Sequence, residues 1–242
     1  MEETLYKKLR YTKRWFAYFD LLGFAQLVRT SEIHSVLPIY EKVLETIKEK
    51  AGPKQPKGLS YSWFSDTFII FTRGSSLEEF GLVEQVARLF FQKLILHEIP
   101  VRGAISYGDL YTQQEKNIFL GEALMDAYEY GEKQNWIDFV ISPSAAKALD
   151  ALGFPMSERA HYRSVEKKGV ITHPGNKSVY AYAFNNGTVN GVNPLLKSLQ
   201  SMKDSSPKSQ KIKYENTIEF IERDAWKRLN KSKQQGPSVR TR

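Results

Sequence analysis

The order of apolar and amphipathic segments predicts an α+β fold: one central, mostly antiparallel sheet with helices packed on one side. Three observations carry that expectation. Short aromatic runs of strand length alternate with longer stretches of helical periodicity. Two of the strand-like runs are separated by only Ser65-Asp66, which marks a hairpin. The order strand, helix, hairpin, helix, strand, helix, strand is the split alternation of ferredoxin-like folds.

Trp15-Phe-Ala-Tyr-Phe-Asp20 is aromatic-rich and reads as a strand buried on both faces. Leu21-Leu-Gly-Phe24 follows as a turn. From Ser31, a candidate N-cap, Ile33, Val36, Leu37, Tyr40, Val43, Leu44 and Ile47 recur at helical spacing. The Pro- and Gly-containing segment 51–58 is a loop. Leu59–Phe64 and Thr67–Thr72 form the hairpin strands. Ser76 to His97 is helical, stopped by Pro100, and Val101–Gly108 is the next strand. Gly121 to Lys133 is helical. Asp138–Ser142 is a short strand, and Pro143 opens a helix that reaches Leu152. His161–Val165 and Ser178–Phe184 read as a closing pair of strands. One unit thus spans 11–184. The Asn and Gly cluster from Asn185 to Asn193, followed by Pro194, suggests a linker, taken over 185–213. A charged helix is expected over 214–229, and a basic, disordered tail over 230–242.

The 242 residues, 41% of them hydrophobic, suffice for one good-sized core. Cysteine is absent, which excludes disulfides, thiolate metal sites and a cysteine nucleophile. No signal peptide is visible, and no run approaches the roughly 18 apolar residues of a membrane span, so a soluble, cytoplasmic protein without membrane partners is expected. The formal charge of +8 invites a nucleic-acid reading, but the basic residues concentrate in the tail beyond Lys203, and a solvated tail is the simpler account. The four histidines (His34, His97, His161 and His173) show no metal-ligand spacing. No phosphate loop of the Walker type or dinucleotide fingerprint occurs.

Two aspartates stand out. Asp20 ends the first strand and precedes a glycine-containing turn into a helix, where open α/β sheets place ligands and where N–H groups favour phosphate. Asp66 sits at the tip of the hairpin, which would bring it beside Asp20. Each alone is an ordinary turn residue. Together they would repel unless a cation lies between them, and hard carboxylate ligands suit Mg²⁺ or Mn²⁺. Two such ions, about 3.5–4 Å apart, can activate a hydroxyl and neutralise a triphosphate.

Four segments, in order over roughly Tyr11 to Phe184, resemble a known family. Phe19-Asp-Leu-Leu-Gly-Phe24 resembles the first metal motif of class III nucleotidyl cyclases, and Phe64-Ser-Asp-Thr-Phe68 the second. Val101-Arg-Gly-Ala-Ile-Ser-Tyr-Gly108 and Phe119-Leu-Gly-Glu-Ala-Leu-Met-Asp-Ala-Tyr128 resemble the strand and the strand-to-helix segment that follow. The resemblance implies the class III cyclase fold, two divalent metal ions, and a homodimer with its active sites at the subunit interface. There are departures. The asparagine and arginine of purine cyclases fall on Met125 and Glu129, and the base-reading lysine of adenylate cyclases falls on Ser62. In the style of Gly121, Ala123, Leu124, Ala127, Tyr128 and Glu132, the helix is more similar to stand-alone bacterial pyrimidine cyclases of the Pycsar antiphage systems. Those make cyclic UMP or cyclic CMP for a separate effector protein.

The resemblance also implies roles. Asp20, Asp66 and the backbone carbonyl of Leu21 would ligate metal. Gly23 and Phe24 would present N–H groups to the β- and γ-phosphates. Tyr61, Ser62 and Phe64 lie on the strand that reads the base, where aromatic faces could stack on a pyrimidine or simply serve as core. Lys177 falls where a phosphate-binding lysine often occurs. Arg102 is either a nucleotide contact, standing in for the missing arginine, or the structural partner of an acid such as Glu122. Two other readings remain open: a catalytically degenerate cyclase-like domain that binds nucleotide or a protein, and a nucleic-acid binder suggested by charge alone.

Overall fold

A computed structural model describes residues 9–24, 59–165, 169–171, 179–183 and 193–234, together with scattered positions between 28 and 45; side chains are described as far as residue 222. The strands are β1 (Thr12–Leu21), β2 (Leu59–Phe64), β3 (Thr67–Thr72), β4 (Val101–Gln113), β5 (Ile118–Leu120), β6 (Phe139–Ile141), β7 (Tyr162–Ser164) and β8 (Tyr180–Tyr182). The helices are α1 (Leu77–Leu96), α2 (Glu122–Glu132), α3 (Pro143–Ala151), α4 (Pro194–Ser205) and α5 (Lys211–Gln234). The sheet runs β2-β3-β1-β4-β6-β8-β7, with β5 paired to the far end of β4. Every pairing is antiparallel except β4 with β6. This is the α+β, mostly antiparallel sheet that the sequence predicts.

The helices lie on both faces rather than one. Trp15, Ala17, Phe19 and Leu21 of β1 join the main core with α1, α3, α4 and part of α5. The alternate residues Phe16 and Tyr18 pack instead with Ala123 and Ala127 of α2. A strand that is apolar on both faces has to be covered on both. Small residues let α2 approach closely: a Cβ on Gly131 would stand 2.5 Å from the Tyr18 ring. That approach sets Glu132, the next residue, beside β1 and β4.

Local chemistry fixes the ends. Ser76 caps α1, with the Glu79 N–H donating to its hydroxyl and the Glu79 carboxylate accepting from the Ser76 N–H at 3.0 Å. Phe24, Val28 and Arg29 are helical, Glu32 is not, and His34 and Leu37 are helical again; Ser31, the expected N-cap, lies outside the described residues.

The segment 185–213 is not simply a linker. It carries α4, opened by the Asn193 side chain accepting from the Leu195 N–H at 3.0 Å, with Pro194 in the first turn. Leu195, Leu199 and Met202 enter the main core, as do Tyr214 and Ile221 of α5. α5 begins at Lys211 and runs to Gln234, beyond the expected 214–229, so residues 230–234 are helical where a disordered tail was expected. Among the described residues, no helix is long and apolar enough to cross a membrane.

Candidate active site

Asp20 stands opposite Thr67 of β3 and Arg102 of β4. The hairpin tip is tied to the end of β1 by the Leu21 N–H, which donates to the Asp66 carbonyl at 3.0 Å. The two aspartates therefore stand at adjacent strand ends, as the hairpin spacing suggests, and the charge of Asp66 acts on Asp20. Asp66 is half-buried and Ser65 beside it takes a left-handed φ of 55°.

Arg102 is held between acids. Its Nε donates to Asp20 Oδ2 at 3.0 Å and one terminal nitrogen to Glu132 Oε2 at 2.5 Å. The other terminal nitrogen donates to the Glu132 carbonyl at 2.6 Å. The acid partners are thus Asp20 and Glu132, not Glu122. Tyr18 donates its hydroxyl to Glu132 Oε1 at 2.7 Å, so Glu132 bridges Tyr18 and Arg102.

Burial pushes the Asp20 carboxyl up to about 6, and the charges of Glu132 and Asp66 add to the rise against the opposing pull of Arg102. Asp20, Glu132 and Asp66 thus act together around the Arg102 guanidinium, and a divalent cation at the two aspartates would offset their repulsion. Asp20 and Asp66 fit such an ion as hard oxygen ligands. Among the described residues no third His, Cys, Asp or Glu completes a metal cluster with them.

Gly23 takes a left-handed φ of 75°, with open space where a Cβ would stand. Phe24 is buried at the start of the following helix and packs in the main core. Leu21 is buried too, and the Leu22 N–H donates to the Pro100 carbonyl at 2.8 Å.

A cavity of about 400 Å³ opens on the α2 face, lined by Tyr18, Phe64, Thr67, Phe119 and Tyr128 among others. Its size falls within the range of small-molecule pockets, about 300–1,000 Å³. Asp20 lies two residues beyond Tyr18, hence on the same face of β1. Ser62 and Asn117 supply polar groups to its wall. Phe64 is strongly exposed at 84%. Tyr61 does not join this cavity: it stacks on Trp63 at 6.4 Å and lines a shallower hollow with Gln114. Lys177 lies outside the described residues. Met125 is exposed, and Glu129 reaches Lys133 at 3.9 Å on the outer surface of α2. Reading from the sequence gave no role to Tyr18, Asn117 or Phe119, and did not bring the C-terminal helix near the site.

No protein family model and no curated protein matches the sequence. Solved structures do match in shape. One is the catalytic core of a rhodopsin-guanylyl cyclase with converted specificity, in complex with ATPαS, at TM-score 0.51 and 9% identity over 72% of this chain and 96% of that one. Another is the guanylate cyclase domain of RhGC from Catenaria anguillulae in complex with GTP, at 0.51 and 9% over 72% and 97%. A bacterial light-regulated adenylyl cyclase matches at 0.50 and 9% over 83% of this chain and 66% of that one. The chain has the fold of class III nucleotidyl cyclase domains. The cyclase fold places β1 and the β2–β3 hairpin side by side, and here these carry Asp20 and Asp66.

Proposed function

We propose that the protein is a metal-dependent pyrimidine nucleotide cyclase, converting UTP or CTP to the 3′,5′-cyclic nucleotide and pyrophosphate. One observation carries the reading: two carboxylates at adjacent strand ends, with an aromatic-walled cavity on the face of β1 that Asp20 occupies. In the reaction the ribose 3′ oxygen attacks the α-phosphorus, the bond to the bridging oxygen breaks, and pyrophosphate leaves. Asp20, Asp66 and the Leu21 carbonyl would hold Mn²⁺ or Mg²⁺. Bound there, divalent ions supply charge neutralisation and lower the pKa of the attacking hydroxyl. Gly23 and Phe24 present backbone N–H groups towards the β- and γ-phosphates. Arg102 orients the Asp20 carboxylate and is itself oriented by Glu132.

A pyrimidine preference is supported by the cavity wall. Phe64, Phe119 and Tyr128 offer faces for stacking, and Ser62, where adenylate cyclases carry lysine, offers a hydroxyl. A homodimer is supported by the exposed apolar residues that line that cavity, Trp63, Phe64 and Tyr128, which a second copy would cover. The resemblance of the α2 sequence to Pycsar cyclases supports a soluble bacterial antiphage signal read by a separate effector protein.

A second reading, a nucleotide-binding domain without turnover, is favoured by Met125 and Glu129, which put no cation where purine cyclases carry one. Incubation with each of the four nucleoside triphosphates and Mn²⁺, with mass spectrometry of the products, separates the two. Cyclic UMP or cyclic CMP that disappears in Asp66→Asn supports the cyclase. Dominant cyclic AMP or cyclic GMP overturns the pyrimidine assignment alone. No cyclic product, with nucleotide still bound, leaves the second reading standing.

A further inference from the structure

Tyr18 belongs to two parts of the site at once. Its ring is buried, lines the cavity of about 400 Å³ and meets the Tyr128 ring edge-on at 5.6 Å. Its hydroxyl donates to Glu132 Oε1 at 2.7 Å. The other Glu132 oxygen accepts from Arg102 at 2.5 Å, and Arg102 Nε donates to Asp20 Oδ2 at 3.0 Å. A chain of hydrogen bonds thus runs from the cavity wall to the carboxylate at the end of β1. The remaining Arg102 nitrogen is fixed on the main chain, donating to the carbonyls of Glu132 at 2.6 Å and Gln134 at 3.4 Å. α5 steadies the loop just beyond them: the Thr217 hydroxyl accepts from the Ile137 N–H at 2.8 Å, and the Asn216 side chain donates to the Asn135 carbonyl at 2.8 Å.

Two acids therefore share one guanidinium. An arginine presents Nε–H and one terminal N–H side by side, and a single carboxylate takes that pair with both oxygens when nothing else claims them. Here the pair is divided: Asp20 takes Nε and Glu132 the terminal nitrogen. The Tyr18 hydroxyl occupies the second oxygen of Glu132 and so opposes its taking both. The Glu132 side chain is 30% exposed against 13% for Asp20, and it has the greater freedom to turn. Without the phenol, a Glu132 carboxylate engaging Arg102 through both oxygens would leave Asp20 without its partner and free to change rotamer. A metal ligand that must be ordered on binding holds its ion more weakly than one already held in place.

We propose that Tyr18 is a positioning residue for Asp20: by holding Glu132 it divides Arg102 between the two acids, and so joins the wall of the aromatic cavity to the metal-binding carboxylate. The inference rests on the cyclase reading in one respect, that Asp20 is a metal ligand. It gives Tyr18 a duty separate from walling the cavity, since the ring does one and the hydroxyl the other.

The test uses the full chain and two readouts: Mn²⁺ binding without nucleotide, by titration calorimetry, and cyclisation kinetics with each triphosphate. Tyr18→Phe keeps the ring and removes the hydroxyl. Glu132→Asp keeps the charge but is too short to span Tyr18 and Arg102 together, and it serves as the second variant should Tyr18→Phe misfold by thermal melting. Each is expected to weaken Mn²⁺ binding about three- to tenfold, the effect of one hydrogen bond. In Tyr18→Phe, kcat should recover at raised Mn²⁺, and KM should change by the same factor for every base. In a Glu132→Gln background, where a neutral amide no longer competes for Arg102, Tyr18→Phe should change Mn²⁺ affinity by less than about twofold. Mn²⁺ affinity equal in wild type, Tyr18→Phe and Glu132→Asp overturns the assignment, as does an undiminished effect of Tyr18→Phe in the Glu132→Gln background. Wild type that binds no Mn²⁺ overturns this inference and the cyclase reading together. If Mn²⁺ binding depends on Tyr18 but no triphosphate is cyclised, the cyclase reading fails while the positioning role stands.

Discussion

Replacing Asp138 by asparagine should change how stability depends on pH far more than it changes stability in acid. Asp138 lies at the head of β6, fully buried; Oδ1 accepts from the Phe139 N–H at 2.7 Å, and Oδ2 has no hydrogen-bond partner among the described residues. Burial raises its carboxyl well above the ordinary value of 3.8, against the smaller effect of that one hydrogen bond. The native state therefore keeps a proton that the unfolded chain releases near pH 4. Folding takes up this proton at any pH between the two values, so stability falls as pH rises through that window. The slope is about 1.4 kcal/mol per pH unit for as long as the native carboxyl keeps its proton. Asparagine keeps the acceptor for Phe139 and cannot ionise, so Asp138→Asn loses the slope. Urea unfolding of both proteins at intervals of pH measures it. In mild acid the two should be about equally stable, and near neutrality the variant should be the more stable. Stability curves that run parallel from pH 5 to 7 would refute the reasoning. The site is affected as well, because the Asp138 carbonyl accepts from the Gly103 N–H at 3.1 Å, beside Arg102.

Mn²⁺ affinity should fall about tenfold per unit as pH drops below about 6, where the raised Asp20 carboxyl takes up its proton and ceases to be a ligand; titration calorimetry across pH reads this directly. Arg102→Met leaves Asp20 and Glu132 without their shared cation, and should cost up to about 3–5 kcal/mol, the range for a broken buried pair, less what solvent at Glu132 screens. Adding Glu132→Gln should restore part of that loss in the same denaturation assay. Gly131→Ala puts a methyl 2.5 Å from the Tyr18 ring and should destabilise by about 1–3 kcal/mol of overpacking, with a fall in cyclisation rate as α2 moves Glu132 off Arg102.

Periodicity made most elements legible, and the hairpin strands were read to the residue. What failed was whatever depends on contact rather than pattern. The apolar run Trp15–Phe19 was read as buried on both faces, which already requires cover on both, yet helical periodicity alone does not say which face of a sheet a helix takes. β5 is three residues long and shows no alternation to detect; it exists because β4 extends past Gly108 and pairs with it. α4 carried its own signal, Asn193-Pro194 as cap and first turn, but it followed a cluster of turn residues that favoured a linker. At the site, Asp20 and Asp66 were legible because a hairpin constrains both. The clamp of Glu132 on Arg102 was not, since no local pattern links a helix end to a strand start across thirty positions. Tyr18 was legible only as a core aromatic, because nothing local shows that its hydroxyl meets Glu132.

The seating of α5 on Ile137 through Thr217 also has a consequence in time. A ribosome delivers β1 well before α5, so Asp20 is made long before the loop 135–137 acquires the partner that fixes it. Until α4 and α5 emerge, the core has no cover from Leu195, Leu199, Met202, Tyr214 and Ile221. The nascent chain thus has Asp20 and Asp66 early and a covered core only when α5 docks, an interval in which exposed apolar surface favours self-association.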